Sequence, residues 1–343
     1  MNQILTVSGV LLGLCSMANA QSSKGPSPKA PDGATVSSWK RYGGSLDYVS
    51  PMRYVSEESS ASPAPNTLPR VTFGKIRVQG VPQMSGDSLK ALPAPKVPFY
   101  LNLTVHEFTD DDLKQFARFE TLEALSLTAP FCTDEQLERL ADIKRLKHLK
   151  LIGCRTTGKC LKSLVGKASL VSLEVNSNQQ SEEDLKFLAD FTELKELILN
   201  TGHLQLDFEL IAKMENLESF ATEIVSNIRD VREVAKMKGL QSLSLSAYEA
   251  FTDDAAKELG TMPKLKALTL TKAKFTTEAY EALGHSKSIQ TLVLIESSVS
   301  DEDLEAIAKM PGLKKVVLRK TKVTKAGIAT QKKKTPSVQF ELQ

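Results

Sequence analysis

The stretches LKALTL (265–270), IQTLVL (289–294) and LKKVVL (313–318) repeat one pattern, with an aliphatic residue at the first, fourth and sixth places. The starts of these three stretches lie 24 residues apart. The same pattern begins at 122, 146, 170, 194 and 240, and in weaker form at 73, 98, 217 and 337. Twelve starts separated by 23 to 25 residues indicate tandem repeats, which decide the fold of most of the chain.

The second half of each repeat carries a helix-start signal. Eleven places after the start, Thr109, Thr133, Ser181 and Ser300 are each followed by an acidic residue. A hydroxyl at this place caps a helix, and an acid favours the positive end of the helix dipole. Thr133 and Gln136 have the spacing of a capping box. Apolar residues follow at helical spacing, so each repeat predicts a short strand, a turn and a helix of two to three turns.

Neither the strand nor the helix of one repeat can bury its apolar face without its neighbours. Stacked repeats therefore predict an α/β solenoid with a parallel sheet on one side and helices on the other. Over 73–343 the chain resembles the leucine-rich repeat family, and most closely its 24-residue Thr-Asp-x-x-Leu-x-x-Leu type of exported bacterial proteins. The resemblance implies a concave sheet face, convex helices, about eleven repeats over 71–343 and no cofactor. The repeats starting at 194 and 217 lack the Thr-Asp step, which predicts an irregularity at Gln205–Val231.

Two segments precede the repeats. Ile4–Met17 is apolar and uncharged, and Ala18-Asn19-Ala20 fits a cleavage site, so residues 1–20 are interpreted as a signal peptide. The alternatives are an uncleaved anchor and a lipid anchor at Cys15. The Pro- and Ser-rich residues 21–70 are interpreted as a disordered linker. This linker holds the single tryptophan, Trp39, among tyrosines and basic residues, and is either a spacer or a docking segment.

The candidate partner-binding surface is the concave face, to which the third, fifth and seventh strand places point. A polar and acidic patch and an apolar patch stand out there, and both are expected to face solvent. Alternatively, the polar patch is an ordinary solvated sheet face that binds nothing, and the apolar residues are present because β-branched side chains favour strands. The candidate residues are His148, Lys150, Glu174, Asn176, Glu196, Asn200, Glu223, Val293, Ile295 and Val317.

The last repeat is strongly basic, although the whole chain has a net charge of only +3. Nine Lys and Arg lie in 314–334 without an acid. They form either a polar terminal cap or a surface for an anionic polysaccharide or envelope. The basic patch that we expect to be exposed consists of Lys314, Lys315, Arg319, Lys320 and Lys322.

Catalytic and metal-binding patterns are weak in this sequence. The four histidines are scattered and no phosphate-binding loop or nucleophile elbow occurs, so we expect no enzyme and no metal site. The concave face has hydroxyls but no aromatic platform for base stacking, so we expect no nucleic-acid partner. Cys132 and Cys154 are expected in the core and Cys160 on the exposed side of its helix, with a Cys132–Cys154 or Cys154–Cys160 disulfide as the alternative.

The sequence thus predicts an exported protein (periplasm, cell surface or extracellular) that recognises a protein partner through its concave face and has no catalytic function. The alternative is a structural envelope or adhesion protein that is held by the basic C-terminal repeat and the aromatic tail.

Overall fold

A computed structural model gives the fold of most of the chain. Among the residues that it describes, no helix is long and apolar enough to cross a membrane. The described residues are 29–41, 44–49, 68–73, 86–104, 109–167, 169–177, 185–202, 205–247 and 251–343.

The described chain divides into two compact units. The N-terminal unit comprises Gln21–Leu194 with Ile198–Leu204, and the C-terminal unit comprises Lys195–Leu197 with Gln205–Gln343. Strands follow one another in chain order within each unit, and β7 falls in both ranges. The strands are β1 Ser45–Val49, β2 Leu68–Phe73, β3 Phe99–Thr104, β4 Leu122–Thr128, β5 His148–Ile152, β6 Ser172–Asn176, β7 Glu196–Asn200, β8 Ser219–Val225, β9 Ser242–Ala247, β10 Ala267–Thr271, β11 Thr291–Ile295, β12 Lys315–Arg319 and β13 Gln339–Leu342.

The described helices are short. Some of the α-helices adjoin a 3₁₀ turn. The 3₁₀ segments are Gln115–Arg118, Glu138–Asp142, Lys186–Asp190 and Asp301–Asp303. The α-helices are α1 Gly33–Arg41, α2 Gly86–Ala91, α3 Asp110–Lys114, α4 Asp134–Leu137, α5 Lys159–Leu164, α6 Phe208–Ile211, α7 Ile228–Ala235, α8 Asp253–Gly260, α9 Thr277–Leu283, α10 Leu304–Ala308 and α11 Lys325–Lys334.

The strand register follows the repeat period. Leu268 of β10 lies opposite Leu292 of β11, which lies opposite Val316 of β12 and then Phe340 of β13, each 24 residues on. These side chains are at most 3% exposed. Burying one such aliphatic side chain stabilises the fold by about 1.5–3 kcal/mol. The predicted α/β repeat architecture is therefore confirmed.

The acid of the Thr-Asp step joins one repeat to the next at three described places, Asp134, Asp253 and Asp301. The Asp134 carboxylate accepts hydrogen bonds from Thr156 Oγ1 at 2.6 Å, from the Thr157 amide at 2.9 Å and from the Cys160 amide at 3.0 Å. All three donors belong to the following repeat. This carboxylate therefore bridges two repeats, a role that helix capping alone does not predict.

Two pairs in the C-terminal unit repeat this arrangement. Asp253 accepts from the Thr276 amide at 3.0 Å and hydroxyl at 2.6 Å, and Asp301 accepts from the Thr324 amide at 2.7 Å and hydroxyl at 2.6 Å. The predicted cap is confirmed at Thr109 and Thr133, and that of Ser181 lies outside the described residues.

Part of the predicted linker is structured, which corrects the sequence interpretation of residues 21–70. Trp39 of α1 is 3% exposed, stacks on Phe99 with ring centroids 6.0 Å apart, and donates from its indole N–H to the Pro93 carbonyl at 3.3 Å. Strand β1 pairs antiparallel with β2, which pairs parallel with β3. The buried Trp39 and the buried Tyr48 of β1 cover the first repeats, so they are not free to form a docking segment.

The predicted irregularity at Gln205–Val231 is confirmed. Strand β8 is longer than its neighbours, and its pairing with β9 shifts between Thr222 and Val225. The strand expected to continue from Phe73 through Ile76 and Val78 lies outside the described residues, whereas 86–97 of the same repeat is described.

Candidate functional site

The strand face is defined here as the side of the sheet that carries the third, fifth and seventh places of each repeat. In the N-terminal unit, one row of this face runs from Asn102 through Ser126 and Lys150 to Glu174, each directly opposite the next. Parallel strands lie about 4.8 Å apart, so the side chains of one row touch one another. The register therefore confirms the predicted neighbourhood of Lys150 and Glu174.

Glu174 is buried, which contradicts the expectation that the acidic patch faces solvent. It is 4% exposed, and its Oε1 pairs with Lys150 Nζ at 2.7 Å. Its second carboxylate oxygen, Oε2, is closed to solvent and has no hydrogen-bond partner. Leaving a buried polar atom unpaired costs about 1–3 kcal/mol, and more for a charged group. This row excludes water because its long side chains, Lys150 and Glu174, lie against each other instead of extending into solvent.

Tyr100 of β3 covers the same region of the strand face. It is 4% exposed, and its hydroxyl hydrogen-bonds with Ser126. Burial raises the pKa of Tyr100 to about 12. The Arg70 guanidinium lies 5.9 Å from the Tyr100 ring centroid and forms an ion pair with Asp47. Sequence reasoning assigned no role to Asp47 and Arg70 because both lie in the predicted linker.

His148 lies on the adjacent row, opposite Ala124 and Ser172. It is 6% exposed. Burial, together with the nearby Lys147 charge, lowers the pKa of His148 to about 4. The imidazole is therefore neutral near pH 7 and adds no charge to the strand face.

The two asparagines of the predicted patch are the last residues of β6 and β7. Strands β6 and β7 are neighbours, and the Ser177 amide donates to the Asn200 carbonyl at 3.0 Å. The 24-residue offset places Asn200 beside Asn176. Asn176 is half-buried, whereas Asn200 is 4% exposed and its Nδ2 has no hydrogen-bond partner. A buried amide donor thus lies diagonally across from Glu174, roughly 8 Å away at Cα.

The remaining two acids of the predicted patch belong to the C-terminal unit. Glu196 is buried and Glu223 is half-buried. Glu196, like Glu174, is therefore an acid of the patch that was expected to face solvent and is buried instead.

The apolar patch is also buried, although its residues are adjacent as expected. Val293 lies between Thr269 and Val317, and Ile295 lies between Thr271 and Arg319. Val293, Ile295 and Val317 are 1%, 4% and 1% exposed. β-Branched neighbours at strand spacing cover one another, so the expectation that this patch faces solvent is wrong.

Hydroxyls next to this apolar patch lack partners. Ser244 lies opposite Thr269 on one row, and Thr271 lies on the next. The side-chain oxygens of all three are buried and make no hydrogen bond. The strand face of the C-terminal unit therefore combines an apolar part with unpaired hydroxyls.

The predicted basic patch is present at the surface but is partly neutralised. Lys315 pairs with Glu341 at 2.9 Å and Lys320 pairs with Glu296 at 2.9 Å, while Arg319 is half-buried. Lys314 and Lys322 are exposed. Because Lys315 and Lys320 form ion pairs with acids outside 314–334, the net positive charge of the patch is lower than its sequence predicts.

A cleft of about 340 Å³, which sequence reasoning missed, lies at the irregular repeat and is lined partly by Asp207, Glu209, Arg229, Asp230 and Glu233. Several of its charged groups already have partners: Arg229 pairs with Glu209, and the Asp230 carboxylate accepts from the Asn227 amide in the capping box of α7. The only signal in the sequence was the missing Thr-Asp step.

The described residues contain no group of His, Cys, Asp or Glu able to hold a metal ion. Cys132, Cys154 and Cys160 are all buried, and all three are thiols. The two alternative disulfides are therefore not formed, and the expectation that Cys160 is exposed is wrong. Its Sγ lies 3.1 Å from Thr156 Oγ1, beneath the bridge to Asp134.

No protein-family model and no curated protein matches the chain. Similar solved structures include an internalin of Listeria monocytogenes, at 14% identity over 77% of this chain and 91% of that one, with a TM-score of 0.40. Rad7 in complex with Elc1 from yeast is similar at 19% identity over 75% and 78%, with a TM-score of 0.47. A leucine-rich repeat protein of Leptospira interrogans is similar at 14% identity over 71% and 76%, with a TM-score of 0.42. The assignment of this chain rests on its own 24-residue register and strand–turn–helix order, which are those of a leucine-rich repeat solenoid.

Proposed function

We propose that the chain is an exported, non-catalytic recognition protein that binds a protein partner through its strand face. The observation that supports this proposal is the position of the unpaired buried polar atoms. Among the described residues, these atoms include Glu174 Oε2 and Asn200 Nδ2 on the strand face of the N-terminal unit, and Ser244 Oγ, Thr269 Oγ1 and Thr271 Oγ1 on the strand face of the C-terminal unit. A partner that supplies the missing hydrogen bonds gains the free energy that these atoms cost in the unbound chain.

In the experiment, the full chain captures its protein partner by cross-linking. Variants of the chain carry substitutions at half-buried positions, which tolerate a larger side chain. Asn176→Arg, Glu223→Arg and Ser246→Arg place bulk and charge on the strand face. Glu281→Arg places the same side chain on the exposed surface of α9 and serves as the control. We expect a cross-linked partner to be lost with the strand-face variants and retained with the control. Loss with Glu281→Arg alone would place binding on the helices and contradict the proposal.

Export has a separate test. Amino-terminal sequencing of the chain recovered from its native source should begin at Gln21 if residues 1–20 are a cleaved signal peptide. A chain that begins at Met1 and remains inside the cell would contradict export without affecting the binding proposal.

The alternative, a structural protein held by an aromatic tail and a basic end, has less support. Trp39 and Tyr48 are buried in the fold, and Lys315 and Lys320 already have acidic partners.

A further inference from the structure

We infer that the strand face of the N-terminal unit binds the backbone of an uncharged, extended peptide segment, through Glu174 Oε2 as acceptor and Asn200 Nδ2 as donor. This inference rests on the proposed function and names its ligand. Both atoms are buried without a partner, and they belong to side chains that are each 4% exposed. One lacks a donor and the other lacks an acceptor, so the ligand must supply both.

The charges around the two atoms select an uncharged ligand. Arg70 is paired with Asp47, and Lys150 is paired with Glu174. The ion pairs therefore cancel, and a charge brought by the ligand would be buried without a counterion. Neutral N–H and C=O groups meet the two requirements without that penalty.

An extended peptide offers those groups repeatedly along its length. Sugars also offer hydroxyl donors and acceptors, but they commonly need an open aromatic ring for stacking. The aromatic side chain at this place, Tyr100, is buried, and Arg70 lies over its ring. The observations therefore favour a peptide backbone over a saccharide.

Access to Glu174 depends on Lys150. Its side chain is 19% exposed and contacts only the first carboxylate oxygen of Glu174. In the proposed complex this long side chain rotates toward water and uncovers the second oxygen, beside the half-buried Asn176. A ligand N–H then approaches Glu174 Oε2 without rupture of the strand.

The test is selection of random linear peptides on the immobilised full chain, followed by affinity measurement with variants. E174Q keeps an oxygen for Lys150 and replaces the free acceptor by a donor, whereas N200D replaces the free donor by an acceptor. We expect each change to weaken the selected peptides by about 10-fold or more. We also expect no enrichment of charged residues in those peptides.

Two matched controls carry the same chemical changes away from the site. Glu123 is a buried glutamate paired with Arg145 and Lys147 at 3.0 Å, so E123Q repeats the first change. Asn227 caps α7, and Asp caps a helix equally well, so N227D repeats the second. Both controls should bind the selected peptides as tightly as the unmodified chain. Circular dichroism verifies that each variant is folded, and N200D tests the inference if E174Q does not fold.

The outcomes separate the inference from the proposed function. Peptides that bind E174Q and N200D normally but are lost with Asn176→Arg or Ser246→Arg overturn the inference and leave strand-face recognition standing. Peptides retained by all of these variants overturn both. Recovery of strongly charged peptides, recovery of no peptide, or a preference for glycans in a parallel array overturns the inference.

Discussion

The carboxylate of Asp134 allows a quantitative test of how the repeats are joined. It is 7% exposed and accepts four hydrogen bonds from the next repeat. Burial alone would raise the pKa of Asp134, but the hydrogen bonds from Thr156, Thr157 and Cys160 outweigh burial and hold the pKa at about 2. Against an ordinary value of 3.8, this corresponds to about 2 kcal/mol of stability.

We predict that Asp134→Asn lowers the free energy of unfolding by about 2–3 kcal/mol at pH 7, because it removes the charge and sets an amide donor against a backbone donor. The folded pKa lies below the unfolded pKa, so this stabilisation is complete above about pH 4 and is lost as the pH falls toward 2. The wild-type chain and the variant should therefore converge near pH 2.

Denaturant unfolding across this pH range measures the difference. Because repeat proteins can unfold in parts, hydrogen exchange of the Thr157 and Cys160 amides gives a local readout at the bridge. Glu135→Gln removes an exposed acid from the same helical turn and should change stability by less than about 0.5 kcal/mol. An Asp134→Asn variant as stable as the wild type at pH 7, or a difference that persists unchanged at pH 2, would refute the reasoning.

Three further predictions concern single buried side chains. Trp39→Ala should cost about 3–5 kcal/mol in the N-terminal unit, and wild-type tryptophan fluorescence should be blue-shifted; emission typical of water would contradict its burial. Cys154 and Cys160, whose pKa values are raised by burial, should resist thiol reagents until denaturant is added, and rapid native labelling would contradict this. The imidazole signals of His148 should titrate near pH 4, so stability should decline as the pH falls from about 6.5 to 4; a midpoint near 6.5 would show an exposed ring.

The repeat architecture could be predicted because many residues encode it redundantly. Leu268, Leu292 and Val316 occupy equivalent core places, and no single one of them is needed to recognise the period. Trp39 could not be placed in the same way, because its burial depends on Phe99, 60 residues away, in a segment without periodicity. A Pro- and Ser-rich composition describes an average, whereas the burial of Trp39 comes from its particular contacts with Phe99 and the Pro93 carbonyl.

The strand face was predictable in position but not in environment. Alternation along a strand predicted the row of Glu174 beside Lys150 and the row of Val293 beside Thr269, which is the observed register. Whether such a residue is solvated depends on what its row neighbours reach, and Lys150 lies along Glu174 instead of extending into water. Under the proposed function, recognition depends on a few individual side chains, whereas the core depends on a repeated pattern. We therefore expect a substitution such as E174Q to change peptide binding while the solenoid that presents this residue stays intact.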